Sequence, residues 1–131
     1  MRNLVSSKPR KQRKVLYGGK INIRRKMLGA ALSDRLRKKH GVKTIPVRQG
    51  DSVRISKGDF SGIDGKVIEA DAEKNSLLIE GVTRENVSGT AIRVPIHSSN
   101  VVITILNLDD KWRKRKLERK KSESAEKEVR K

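Results

Sequence analysis

Gln49-Gly50-Asp51-Ser52-Val53-Arg54-Ile55-Ser56-Lys57-Gly58-Asp59-Phe60-Ser61-Gly62-Ile63-Asp64-Gly65-Lys66-Val67 is the stretch from which the fold is read. Gly50-Asp51 is a turn. It launches a strand in which Val53 and Ile55 share one face and Ser52 and Arg54 the other. Gly58, Gly62 and Gly65 fall in the loop that follows, where a positive φ or a close backbone approach is expected. Lys66-Val67 resumes the alternation. The stretch is therefore a hairpin with a wide, glycine-hinged loop. The glycines do not make a phosphate cradle of the P-loop type, because no Gly-Lys-Ser/Thr opens a helix here.

Downstream, the period of two continues. Ile68 and Ala70 extend the second strand, Asp71 to Asn75 forms a turn, and Ser76-Leu77-Leu78-Ile79-Glu80 follows as a short apolar run. Ala91-Ile92-Arg93-Val94 alternates, and Val101 to Leu106 is β-branched and apolar. Five short strands within about sixty residues predict a mainly β fold, a small antiparallel barrel. Leu77 and Ile79 are expected in its core. Phe60 is expected either to anchor the hairpin in the core or to stand exposed as a stacking residue.

Upstream, the pattern turns cationic. Ser7 followed by Lys8-Pro9 predicts a helix start, with the helix running to about Leu16 and stopping at Gly18-Gly19. Residues 20–32 read as an irregular basic stretch holding Arg24-Arg25-Lys26. Ser33 is expected to cap a short helix, Asp34 to His40, ended by Gly41. Its acid stands at the positive end of the helix dipole and Arg37, Lys38 and Lys39 at the negative end. Beyond Asp109, Lys111 to Lys121 reads as a basic helix around Trp112 and Leu117, with Trp112 expected to pin that helix to the barrel or else to stack on a base. Ser122 to Lys131 reads as a solvated helix or a tail without core residues.

Charge divides the chain as the patterns do. The whole carries +18, with 33 Lys+Arg against 15 Asp+Glu. Counted from the sequence, residues 1–44 carry a net +14, residues 45–108 a net −1 and residues 109–131 a net +5. The expected organisation is an N-terminal basic extension (1–44), a barrel (45–108) and a C-terminal basic extension (109–131). A near-neutral globule with cationic arms sits on a polyanion and reaches into it, and nucleic acid is that polyanion. No cysteine is present, so disulfides and thiolate metal sites are excluded. His40 and His97 are the only histidines, and no carboxylates are spaced around them as metal ligands would be. No constellation of catalytic groups is legible, and no run of about 18 apolar residues could span a bilayer. The expectation is a non-enzyme without cofactor or metal.

The Gly-rich hairpin resembles a KOW motif, which occurs in ribosomal proteins and in transcription elongation factors of the NusG/Spt5 class. The flanks discriminate. Ser6-Ser7-Lys8-Pro9-Arg10-Lys11-Gln12-Arg13-Lys14 and Leu32-Ser33-Asp34-Arg35-Leu36-Arg37 resemble the amino-terminal extension of ribosomal protein L twenty-four in its archaeal and eukaryotic form. So do Gly81-Val82-Thr83-Arg84, Gly89-Thr90, Val94-Pro95-Ile96-His97-Ser98-Ser99-Asn100-Val101-Val102-Ile103-Thr104 and Leu108-Asp109-Asp110. The resemblance runs over roughly residues 4–120. Ser61 departs from it, standing where the family commonly has a basic residue, and so does Ser99, which follows Ser98 where related chains often have a different local sequence.

That resemblance implies an SH3-like barrel in a cytoplasmic ribosome. It implies binding to the 5′ domain of large-subunit rRNA, a role early in assembly, and a place near the polypeptide exit tunnel. Neighbouring large-subunit proteins and exit-tunnel factors are the implied protein partners, without membrane insertion or homo-oligomerisation. Carried onto this chain, rRNA-binding positions are Lys8, Arg10, Lys11, Arg13, Lys14, Arg24, Arg25, Lys26, Arg37, Lys57, His97, Ser98, Asn100, Lys111 and Arg113. A KOW transcription factor would carry a separate polymerase-binding domain, for which no segment is available. A DNA-compacting protein would show little preference for RNA over duplex DNA.

Overall fold

The computed structural model describes residues 6–129, with side chains described as far as Ser122. Seven strands and four α-helices follow in the order α1 (Pro9–Gly18), α2 (Ile21–Met27), β1 (Gly29–Leu32), α3 (Asp34–His40), β2 (Thr44–Pro46), β3 (Ser52–Ile55), β4 (Asp64–Asp71), β5 (Ser76–Glu85), β6 (Ala91–His97), β7 (Val101–Ile105) and α4 (Lys111–Val129). A single 3-10 turn, Ser98–Asn100, joins β6 to β7. The fold is mainly β, consistent with a small SH3-like barrel of the KOW kind. The sheet order is β2-β1-β7-β3-β4-β5-β6, and its two end strands do not pair with each other, so the ring is left open.

The five strands expected between residues 45 and 108 are all present as β3 to β7. Alternation places Val53, Ile55, Val67, Leu77, Ile79, Val101 and Ile103 inside, each essentially without solvent exposure. Phe60 is half-buried and packs against this core, which decides its role as an anchor of the hairpin. The turn after β4 is built by the Asp71 carboxylate, which accepts from the amides of Glu73 (2.7 Å) and Lys74 (3.3 Å). Asn75 closes it at a φ of 53°, a conformation Asn tolerates well.

The glycines of the hairpin loop divide into two kinds. Gly58 and Gly62 have positive φ, at 99° and 90°. Gly65 does not. A side chain there would stand 2.5 Å from both the Glu80 carbonyl and the Ile79 Cγ2 of neighbouring β5, so this position is glycine because β5 crosses too closely.

One expectation upstream is corrected. Residues 20–32, read as irregular, form α2 and β1. The sheet thus begins at Gly29, inside the segment read as an extension. Gly-Ala-Ala-Leu has little intrinsic strand preference, but Ala30 and Leu32 bury one face, and β1 is held between β2 and β7. β1 also runs parallel to β7, the one exception to the antiparallel pairing. This is permitted because some 70 residues of chain separate the two strands.

Helix starts differ in detail. α3 has the expected limits and ends on Gly41 in the left-handed region (φ 63°), but the Ser33 hydroxyl makes no capping bond. α1 starts one residue later than read, with Lys8 at the cap position and Pro9 in the first turn, and it runs on to Gly18. The C-terminal helix continues unbroken to Val129; Arg130 and Lys131 lie outside the described residues.

Candidate nucleic-acid interface

The expected RNA-binding residues separate into three groups once the chain is folded. The first is α1. Arg10, Lys11, Arg13 and Lys14 are all exposed, the helix buries no residue, and among the described residues none of the four has an acidic partner. Lys8, at its N-terminal end, is exposed as well. Arg25 and Lys26, on α2, are exposed too. A helix with so little apolar contact derives little stability from packing, and neutralising phosphates would supply what packing does not.

The second group is assembled by the glycine loop and the 3-10 turn. The Ser56 amide and hydroxyl both donate to the Asn100 carbonyl, at 2.8 and 2.9 Å. This contact sets Lys57, the next residue, beside the turn that carries His97 and Asn100. Lys57 and His97 are exposed and Asn100 is half-buried. The Ser99 amide donates to His97 Nδ1 (3.2 Å), and the Ser99 hydroxyl lies 2.8 Å from the same nitrogen. These contacts orient the imidazole through Nδ1.

In the third group some residues are withdrawn from the surface and others are not. Ser98 is buried, and its hydroxyl has no protein partner. Arg24 keeps only 17% of its side-chain exposure; it pairs with Glu73 (3.5 Å) and donates to the Tyr17 carbonyl, tying α2 to α1 and to the β4–β5 turn. Arg37 is exposed and pairs with Asp34 one turn earlier. Lys111 is exposed at the start of α4.

Arg113 departs furthest. Its side chain is 4% exposed and meets Asp51, which is fully buried, through two bonds of 2.7 Å. It also donates to the carbonyls of Asn107 (2.9 Å) and Pro46 (3.2 Å). The Asp51 oxygens accept in addition from the amides of Asn107 (2.8 Å) and Arg48 (2.9 Å). Asp51 is the acid of the Gly50-Asp51 turn that opens the hairpin, so one guanidinium locks α4 onto the barrel. Leu117, one turn further on the same face, is buried too. The expectation that Trp112 pins this helix is corrected. Trp112 is 75% exposed, with the Arg115 guanidinium 5.3 Å from its ring centre.

Two cations missed in the sequence now stand out. Arg48 pairs with Asp110, whose carboxylate also accepts from the Trp112 amide (2.8 Å) and so caps α4. Lys116 lies between Arg48 and Lys26. Burial, followed by the charges of Lys120, Lys26, Arg119 and Arg48, holds its ammonium below the ordinary lysine value. His40 is likewise depressed, by burial first and then by Lys39 and Lys121, where α3 meets α4. Nothing in the sequence marks Arg48. The i, i+4 spacing of Arg113 and Leu117 is the available sign that α4 has a buried face.

Among the described residues these groups make an open cationic surface. Among the described residues no cluster of His, Asp or Glu could hold a metal ion. The model of the family that comprises the eukaryotic ribosomal proteins L26 and their archaeal L24 counterparts matches residues 6–120. The chain belongs to this family of structural ribosomal proteins. It is similar to the large ribosomal subunit protein uL24 of Korarchaeum cryptofilum (strain OPF8), with 47% identity over 115 residues and 88% of each chain covered. The large ribosomal subunit protein uL24 of Saccharolobus solfataricus is 48% identical over 118 residues, covering 90% of this chain and 99% of the relative. As a member of a family of structural ribosomal proteins, the chain is not an enzyme.

Proposed function

We propose that this chain is a structural constituent of the large ribosomal subunit in the cytoplasm, bound to its rRNA and to neighbouring subunit proteins. In the finer form of the proposal it binds the 5′ domain of that rRNA early in assembly, near the polypeptide exit tunnel, where exit-tunnel factors could reach it. The observation that carries the binding role is α1, a helix with four exposed cations, no buried residue and no acidic partner for those cations among the described residues. Its folded form is best explained by phosphate on its surface. Recognition on this view is architectural: phosphates neutralised by arginine and lysine, and RNA shape read by the rigid barrel.

The test is sedimentation through a sucrose gradient from a gently prepared lysate, before and after a high-salt wash. Cosedimentation with the large subunit at about one copy per particle is expected, and contacts distributed over many phosphates should survive moderate salt. A protein that runs free, or with DNA, would overturn the assignment.

A further inference from the structure

The cations of α1 and of the glycine loop belong to the binding surface already described. Lys26, exposed on α2, also lines a depression together with Arg48 and Lys116. One part, about 480 Å³, lies between α4 and the end of β2 and is walled by Trp112 and Arg115. The other, about 1000 Å³, lies against α2 and takes in Asn22, Arg25 and Lys26. Arg48 and Lys116 line both parts and stand where they meet.

The charge there is unbalanced. Asp110 answers Arg48, and Glu69 lines the far wall, yet among the described residues neither Lys26 nor Lys116 has a carboxylate within ion-pair distance. Like charges gathered on one concave surface destabilise the free protein. Their persistence in a concave site points to an anion that enters from outside. The second feature is Trp112. An indole ring three-quarters exposed on a helix made almost entirely of charged residues is large apolar surface left in water. Arg115 covers only part of it. An anion alone would satisfy the lysines and leave the ring unexplained. A nucleotide satisfies both, because it carries a phosphate and a flat base at a short, flexible separation. A base within a duplex has no face to offer; an unpaired one has.

We infer that this groove binds an unpaired nucleotide of RNA, its phosphate between Lys26, Arg48 and Lys116 and its base stacked on the Trp112 face that Arg115 leaves open. The inference rests on the RNA-binding function proposed above and adds a second, structure-selective site to it.

Trp112 is the only tryptophan of the chain, so its emission reports on this site alone. The experiment compares an oligoadenylate of about twelve nucleotides, a length within the usual range of single-strand sites, with an RNA duplex of equal length. Binding of each is followed independently by anisotropy of a labelled strand. Both RNAs should bind through α1, but only the single strand should quench Trp112. In the Lys26→Gln/Lys116→Gln variant the quench should largely disappear. The slope of log K against log salt for the single strand should fall by about 1.4, which is two phosphate contacts. The free variant should also melt higher than the parent, since a repulsion has been removed. Binding without quenching, equal quenching by duplex, or a quench unchanged in the variant would overturn the site and leave the general RNA-binding role intact. A lowered melting midpoint would mark the lysines as structural and overturn it too. If neither RNA binds, the broader function falls as well.

Discussion

α1 and α4 are written in nearly the same alphabet, and the fold treats them oppositely. α1 presents Arg10, Lys11, Arg13 and Lys14 and buries nothing. α4 presents Lys114, Arg115 and Lys116 along its first turns but buries Arg113 and Leu117. The difference lies outside both helices, in Asp51. A carboxylate sealed into the start of the barrel must be matched by charge and hydrogen bonds, and an arginine from α4 supplies both in a two-pronged contact. No acid in the barrel makes the same demand on α1. A basic segment therefore becomes architecture or interface according to whether the globule holds a buried partner for it.

The most severe way to break this contrast is to remove one side of the buried pair. Asp51→Ala or Arg113→Ala leaves an unmatched charge inside and should cost about 3–5 kcal/mol of stability, read as a lowered urea midpoint. Removing both together, as Asp51→Ala/Arg113→Ala, should cost clearly less than the two single losses added, because no partner is then stranded as an ion. Additive losses would mean that Asp51 and Arg113 act independently, and the lock between α4 and the barrel would have to be abandoned.

The converse experiment is on α1. Changing Arg10, Lys11, Arg13 and Lys14 to Gln together should leave the urea midpoint within about 0.5 kcal/mol of the parent, since these side chains touch no core. The same variant should lose about 3.6 from the slope of log K against log salt for duplex RNA, four contacts' worth. A large fall in stability would show that α1 is docked like α4. An unchanged salt slope would remove it from the interface.

The contrast also explains what can be read from the sequence. The hairpin from Gln49 to Val67 is legible because its signals are local: alternation on either side, and glycines where the backbone needs them. α3 is legible for the same reason, from Asp34 to Gly41. β1 is not, because Gly29-Ala30-Ala31-Leu32 becomes a strand only through its neighbours β2 and β7, and no local pattern announces a parallel partner about 70 residues away. Arg113 sits in a run of lysines and arginines, where charge alone suggests phosphate; its true partner is 62 residues upstream. Ser98 looks like an RNA contact from its place in a polar loop, whereas the fold turns it inward between exposed His97 and Ser99. Lys57, His97 and Asn100 are separate candidates in the sequence, and their proximity comes only with the Ser56–Asn100 bonds.

The finest test uses a pair that matches the buried one in geometry and differs in solvent. Arg54 and Asp64 face each other across β3 and β4 and bond at 2.8 and 2.7 Å, much as Arg113 and Asp51 do at 2.7 Å. Both members of the surface pair are more than half exposed. The hydrogen bonds from Arg54 hold the Asp64 carboxyl below its ordinary value, against a smaller opposing effect of desolvation. A depressed carboxylate contributes stability that is fully present above its unfolded pKa, about 4, and is lost as the pH falls through its lower folded value. Arg54→Met should therefore melt slightly lower than the parent at pH 7 and lose less on acidification from pH 5 to 3. Water and salt screen an exposed pair, so the difference at pH 7 should shrink further in about 1 M salt. The Asp51–Arg113 contact lies out of reach of that screening, and Arg113→Ala should be equally damaging at low and high salt. If salt erased both effects alike, burial would not be what separates the two pairs, and the distinction between α1 and α4 would lose its physical basis.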